Sequence, residues 1–326
     1  MKSNAIIFGV GANYKRLYRA VCSEYNIIAC SDNDESKWGK VDSLSGKTII
    51  PPSRIKEIIG GGESKIFITP FFHSDIALQL LTQLCIPQVF AITADSENGL
   101  KLVKHYMDNE VLISEYGSIR VAGKASVDII VEVIAGHTYE IEYPFSYKDT
   151  IIIDIGMHVG CTSLYFAQKE NVEKIYSFEP YLENYKDASV NFALNSTLSH
   201  KIVPHNFGLG NKNHSNLTSR NLSCRNVTDE QTKITIKDSA ETLGPIINGL
   251  EKKNIWLKCD CEGGEYDIFE SLDKAGLLPK IDVITMEWHG YRLSFLKEIL
   301  IRNGFAFSIA DYLGIGMIYA FHLTTQ

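Results

Sequence analysis

The sequence predicts an α/β protein with two open, mostly parallel sheets, and three observations predict it. Short uninterrupted apolar runs, AIIF at 5–8 and III at 151–153, read as strands covered on both faces. Each run leads into a glycine turn and then a stretch with helical periodicity, the order of a βα unit. A second strand follows each helix and meets an acid just past its end, Asp32 in the first half and Glu179 in the second. Two Rossmann-like units in tandem, the first smaller than the second, account for this pattern.

In the first unit, Gly9 and Gly11 make the turn after strand 5–8. Residues 13–24 form a helix with Leu17, Ala20 and Val21 on one face, and residues 26–30 form the next strand. Pro51 and Pro52 begin a further helix, after which 65–69 is a strand, 73–84 a helix and 88–92 a last strand. The turn GVGANY imitates a dinucleotide-binding fingerprint without its third glycine. Asp32 lies in the polar run SDNDESK, where an acid is also an ordinary loop residue. The stretch CSDNDESKWGK at 30–40 resembles small Rossmann-like modules attached to sugar-modifying enzymes, which implies a nucleotide-sugar site or a scaffold. Residues 97–107 read as a helix at the end of a module spanning 1–100. Residues 111–141 alternate apolar and polar, notably at 118–122 and 128–133, between Gly117, Gly123 and Gly136. That alternation predicts β-hairpins as a lead-in over 101–142, leaving 143–326 for the second unit.

The second unit opens on DIGMHVG, of the form DxGxxxG. Asp154 ends the strand, and Gly156 and Gly160 frame a turn whose missing side chains permit unusual backbone angles and close approach of a ligand. Alone, such a pair is as often tight helix-to-strand packing. Glu179, 25 residues past Asp154, stands at the end of strand 174–178, where an acid can accept both hydroxyls of a ribose. The reading is a nucleoside site. FEP at 178–180, HNFGLG at 205–210 and WLKCDCEGGEYDIFESL at 256–272 are spaced as successive βα units require. With these motifs the chain resembles the FkbM-type S-adenosylmethionine-dependent methyltransferases over 143–319, and KCDCEGGE at 258–265 is the most specific part.

That resemblance implies a mostly parallel seven-stranded sheet closed by an antiparallel hairpin, here the strand-like runs 305–310 and 316–322. It implies S-adenosylmethionine as cofactor, with Asp154, Gly156, Gly160, Glu179 and Asn206 among the residues that bind it. Met157 and His158 replace the family's usual alanine and asparagine, so the His158 imidazole would supply the polar contact to the cofactor's carboxylate or to a neighbouring loop. The polar stretch 211–232 is expected to be a loop near the cofactor, a surface connection or a lid.

Methyl transfer from a sulfonium needs an in-line nucleophile, and an alcohol needs a base to take its proton. Asp260 lies at the end of strand 255–259, placed to bond the acceptor hydroxyl or the methionine amino group. Glu262 follows on a turn that Gly263 and Gly264 permit. The resemblance puts Asp260, Glu262 and Glu265 in the active region, although an acid in a helix's first turn, as at Glu265, is also favoured by the helix dipole. His289, after strand 281–286, is a competing base because imidazole titrates near neutrality. Glu287 with Asp260 and Glu262 offers oxygens suited to a hard cation, but no metal is assigned.

Composition bounds the rest. With 326 residues, 45% hydrophobic and 22% charged, two globular domains are expected. A net charge of -7 without a basic block argues against nucleic acid as a partner. Seven cysteines without a CxxC pair suit reduced thiols in a cytoplasm. No apolar stretch reaches the roughly 20 residues of a membrane span, so no integral membrane segment is expected. These readings together predict an O-methyltransferase acting on a hydroxyl of a sugar, nucleotide-sugar or surface-glycan precursor, compatible with a homo-oligomer. The rivals are an NAD-dependent sugar oxidoreductase using the first turn, a noncatalytic nucleotide-sugar-binding protein, and N-methylation.

Overall fold

The computed structural model describes residues 2–59, 64–70, 73–95, 99–141, 149–218, 232–249 and 253–322. The chain divides into two compact units, Met1–Thr138 and Tyr139–Gln326.

The first unit holds strands β1 Ser3–Phe8, β2 Tyr25–Ser31, β3 Ile49–Ile50, β4 Lys65–Ile68, β5 Val89–Asp95, β6 Gly99–Asp108, β7 Val111–Tyr116 and β8 Ile119–Ala122, in one sheet of order β3-β2-β1-β4-β5-β6-β7-β8. The first five strands of that order pair in parallel and the last three are antiparallel. Helix α1, Ala12–Glu24, buries Tyr14, Leu17 and Val21, one stripe of its surface. Helices α2 Ile55–Ile59, α3 Ser74–Leu78 and α4 Lys124–Ile129 are short.

Three expectations are corrected here. The stretch read as a helix at 97–107 is strand β6 from Gly99 onward, because it pairs with β5 on one side and β7 on the other. Residues 128–133 belong to α4 and the wider helical turn Ile130–Ala135 that continues it. Val127, Ile130, Val131 and Ile134 are all buried, a helical face hidden under a local alternation. The hairpin strands do not stand apart as a lead-in, since β6 to β8 extend the first sheet.

The second unit holds β9 Thr150–Ile155, α5 Cys161–Ala167, β10 Val172–Phe178, α6 Leu182–Leu194, α7 Ser196–Ser199, β11 Ile202–His205, β12 Gly208–Gly210, β13 His214–Thr218, β14 Thr232–Asp238, α8 Ser239–Asn248, β15 Asn254–Cys259, α9 Glu265–Lys274, β16 Val283–His289, α10 Leu293–Arg302, β17 Phe305–Asp311 and β18 Ile315–His322. Its main sheet has seven strands in the order β11-β10-β9-β15-β16-β18-β17. The first five are parallel, and β18 inserts antiparallel between β16 and β17, as the terminal runs predict. All six residues of β9 are buried, which its continuous apolar run required. On one face Ile153, Leu257, Met286 and Trp288 pack with Ile268, Phe269 and Leu272 of α9 and Leu296 and Ile299 of α10. Each such side chain stabilises the fold by about 1.5–3 kcal/mol on burial.

A second sheet, β12-β14-β13, includes part of the stretch expected as a loop. His214–Thr218 is a strand paired with β14, while 219–231 lie outside the described residues. Chain order reverses at β9, from which β10 and β11 run one way and β15 and β16 the other. The switch point therefore lies past the carboxyl ends of β9 and β15, where ligands of open α/β sheets bind. Among the described residues no helix is long and apolar enough to cross a membrane, and the six described cysteines are free thiols.

Candidate active site

The glycine turn between β9 and α5 is clipped to the neighbouring strand. The N–H groups of Gly156 and Met157 both donate to the Phe178 carbonyl at 3.0 Å, and the His158 N–H donates to Glu179 Oε2 at 3.0 Å. Gly156 has φ +78°, and a Cβ there would overlap the carbonyl oxygen of Asp260, so the turn needs glycine to seat against the residue that follows β15. Gly160 has φ +82°, and a Cβ there would stand 2.6 Å from the Phe192 ring. Both glycines serve close packing, the reading that competed with ligand approach in the sequence.

Glu179 is 3% exposed. Besides the His158 N–H, its carboxylate accepts from the Tyr181 N–H at 2.9 Å and from Asn184 Nδ2 at 3.3 Å. Burial pushes its pKa up to about 7, against the opposing pull of those donors and the Lys258 charge. Asn206 is exposed and donates to the carbonyls of Glu179 and Pro180, so it holds the end of β10. The His158 imidazole is lowered to about 4 by burial, and its Nε2 is buried without a hydrogen-bond partner. An acid with acceptor capacity left and an orphaned imidazole nitrogen beside one glycine turn fit a nucleoside cofactor that brings hydroxyls and its own polar groups.

Asp154 is fully buried. Ser163 Oγ donates to its Oδ2 at 2.6 Å, and Lys258 Nζ stands 3.2 Å from its Oδ1. The structure therefore puts Asp154 inside the wall of the site, one step behind its surface.

Asp260 follows β15, its N–H donating to the Ile155 carbonyl at 3.0 Å. The Tyr139 hydroxyl donates to Asp260 Oδ2 at 2.7 Å and lies 3.5 Å from Glu287 Oε2, joining the ends of β15 and β16. Glu262 sits on the following turn with φ +54°, its Oε2 3.5 Å from His289 Nε2. His289 Nδ1 bonds the fully buried Glu265 at 2.8 Å. Burial disfavours the charged imidazole, but the Glu265 hydrogen bond and the charges of Glu265, Glu262 and Asp260 outweigh it and push His289 up to about 9. An imidazole that holds its proton this firmly is a poor proton acceptor, which weighs against His289 and for Asp260 as the base.

Asp260, Glu287 and His289 bring ligand atoms within 4.8 Å of one another, a set that could hold a divalent cation. A cation bound there would have to displace the imidazole proton, so its binding would depend on pH. Two participants had no assigned role at the sequence level. Lys258 was visible as a charge inside an otherwise apolar strand, whereas Tyr139 lies 121 residues before its partner and nothing local marks it.

The switch point and the acids gathered at the carboxyl ends of β10, β15 and β16 fit a nucleoside-dependent enzyme. Residues 154–311 match the family model described as Methyltransferase FkbM domain, and residues 1–82 match that described as C2185-like, N-terminal. The second unit carries an FkbM methyltransferase domain, and the protein is an S-adenosylmethionine-dependent methyltransferase. Solved structures similar to this chain include Methyltransferase FkbM from Methylobacillus flagellatus KT, at 14% identity over 98% of this chain and 90% of that one, TM-score 0.39. A putative tRNA (m1A22) methyltransferase from Streptococcus pneumoniae, in complex with S-adenosyl-L-methionine, aligns at 13% identity over 60% of this chain and 73% of its own, TM-score 0.36. TrmK of M. capricolum, in complex with S-adenosyl-homocysteine, aligns at 12% over 55% and 64%, TM-score 0.35. No curated protein matches the chain.

Proposed function

We propose that the protein is an O-methyltransferase acting on a hydroxyl of a sugar, nucleotide-sugar or surface-glycan precursor in the cytoplasm. The observation that carries this reading is the Asp260 carboxylate, held by the Tyr139 hydroxyl beside Glu287 at the sheet's switch point. When bound, S-adenosylmethionine supplies an electrophilic methyl group. Glu179 would take the ribose hydroxyls, the glycine turn would bound the nucleoside, and His158 would meet the cofactor's polar end. Asp260 would orient the acceptor hydroxyl and take up its proton. Glu262 and Glu287 accept further hydroxyls, a polyol's most abundant donors. The protonated His289, bonded to Glu265, holds Glu262 at the mouth.

Oxygen is favoured over nitrogen because a neutral amine needs no strong base, whereas an alcohol does. The sugar class rests on the resemblance of residues 30–40 to modules of sugar-modifying enzymes, and the net charge of -7 speaks against a nucleic-acid acceptor. The test is methyl transfer from S-adenosylmethionine to panels of sugars, nucleotide-sugars and amines, with products read by mass spectrometry. With the acceptor so found, Asp260→Asn is expected to lower turnover by about 100- to 10,000-fold in a folded protein, and His289→Gln by less. Transfer to amines alone, or an Asp260→Asn variant as fast as wild type, overturns this reading.

A further inference from the structure

We propose that Lys258 is a positioning residue, whose buried ammonium fixes the carbonyl side of the glycine turn and, through Tyr139, the direction of the Asp260 carboxylate. Lys258 is 1% exposed, on a strand whose other residues from Ile255 to Cys259 are apolar. Its Nζ donates to the Gly156 carbonyl at 2.6 Å and the Ile155 carbonyl at 3.3 Å, and stands 3.2 Å from Asp154 Oδ1. The same ammonium lies 5.0 Å from the centre of the Tyr139 ring, whose hydroxyl bonds Asp260. One cation thus touches the cofactor turn, braces the phenol that aims Asp260, and neutralises Asp154.

A purely structural role explains this badly. Two charges taken fully out of water cost several kcal/mol each in desolvation, and well-packed apolar residues of similar volume are often as stable or more so. What apolar residues would lack is the grip on two adjacent carbonyls at a glycine with φ +78°. The assignment of Asp260 to the acceptor belongs to the proposed function, while the grip on the turn bears on cofactor binding alone, so the two are testable apart.

The test uses the full-length protein and S-adenosylhomocysteine as the probe, with affinity from calorimetry and stability from thermal melting. Lys258→Met alone leaves Asp154 as a buried unpaired charge and is expected to melt early. Lys258→Met combined with Asp154→Asn removes both charges and is expected to recover most of the melting temperature. Its affinity is nevertheless expected to stay roughly tenfold or more below wild type, the worth of about one charge-assisted hydrogen bond. Asp154→Asn alone keeps the lysine on the turn and is expected to bind more tightly than the double variant.

A pH profile adds a readout that packing does not move. Glu179 meets the His158 N–H from the turn, the Tyr181 N–H and Asn184 from the α6 side, and the Lys258 charge from β15. Loss of the lysine is expected to move the acid limb of binding, near the Glu179 value of about 7, to higher pH. Affinity that recovers together with the melting temperature in the double variant makes Lys258 structural and overturns the proposal. So does a loss in Asp154→Asn equal to that of the double variant. Wild-type protein that binds no S-adenosylhomocysteine overturns the cofactor assignment and this inference with it.

Discussion

The protein contains the same device twice. In the first unit Gly9, at φ +93°, donates to the Ser31 carbonyl at 2.8 Å, and the next N–H, of Val10, donates to Asp32 Oδ2 at 3.0 Å. In the second, Gly156 donates to the Phe178 carbonyl, and the His158 N–H bonds Glu179. Each time a glycine turn after one strand is clipped to the acid that follows the next. The difference lies in what else the acid meets. Lys37 Nζ reaches Asp32 Oδ2 at 2.8 Å, and the Asp34 N–H takes Oδ1 at 2.9 Å. Burial raises the pKa of Asp32, but these partners outweigh it and the net direction is down. Among the described residues Glu179 has only amide donors in direct contact, burial dominates, and the net direction is up. An acid already neutralised by its own chain gains little from a ligand's hydroxyls, whereas a desolvated one gains much. The comparison supports the second turn as the cofactor site and a structural role for the first.

The largest expected effect separates the two turns directly. Gly156→Val should abolish S-adenosylhomocysteine binding, because the side chain would collide with the Asp260 carbonyl at a positive φ. Gly11→Val, where nothing lies within 4 Å of the added Cβ, should bind as wild type does. Calorimetry on both proteins, with melting curves as control, decides it, and loss of binding in a folded Gly11→Val would put the cofactor in the wrong unit.

The acids sharpen the contrast at smaller amplitude. Glu179→Ala is expected to weaken S-adenosylhomocysteine by about 10- to 100-fold, as loss of one or two hydrogen bonds to a charged group does. Asp32→Asn should leave that affinity alone and cost about 1 kcal/mol of stability in chemical denaturation. Equal losses of affinity from the two substitutions would erase the distinction.

Acid and base should also act on different places, acid on the first unit and on the glycine turn around His158, base on the region around β16. His73 and His105 of the first unit are buried and lowered to about 4 and about 3, chiefly by desolvation. Their depressed values contribute stability that is present above about pH 6.5 and lost as pH falls toward 3–4, on the order of 3–5 kcal/mol each. His289 of the second unit is raised to about 9, so its contribution is full below about pH 6.5 and lost as pH rises through 9. Its partial exposure and the exposed Glu262 reduce that to about 1 kcal/mol. Hydrogen exchange resolved by segment should show the first unit and the His158 turn loosening from pH 6.5 to 4, and the region around β16 loosening from pH 7 to 9. The opposite order would mean that these histidines are not in the charge states derived from their surroundings.

The smallest expected effect is that of chelation. Since the His289 proton already offsets charge at Asp260, Glu262 and Glu287, methyl transfer should change by less than about twofold in EDTA, within reach of a direct assay. Loss of activity that manganese or magnesium restores would instead make Asp260, Glu287 and His289 a metal site.

Much of this was legible in the chain. Uninterrupted apolar strands, the two glycine turns and the terminal hairpin are local patterns, since burial on both faces of a parallel strand and the backbone freedom of glycine leave marks within a few residues. Where two periods overlapped, at 128–133, the local alternation misled, because only packing against the first sheet shows that Val127, Ile130, Val131 and Ile134 share a face. The site divides in the same way. The acids Glu179, Asp260 and Glu262 could be picked out because strand ends in an open sheet converge. Their charge states could not, because these depend on desolvation and on partners far off in sequence.

What the sequence determined by itself is therefore the run of βα units in each half and the residue types gathered at their strand ends. The tertiary structure decided which of two matching turns is internally neutralised, that His289 lies between Glu262 and Glu265, and that Tyr139 and Lys258 converge on Asp260 and Gly156. The physical reason is range. Periodicity and backbone preference act over a few residues, whereas the Coulomb and desolvation energies that set these roles depend on distances of 3–5 Å between residues that the fold alone brings together.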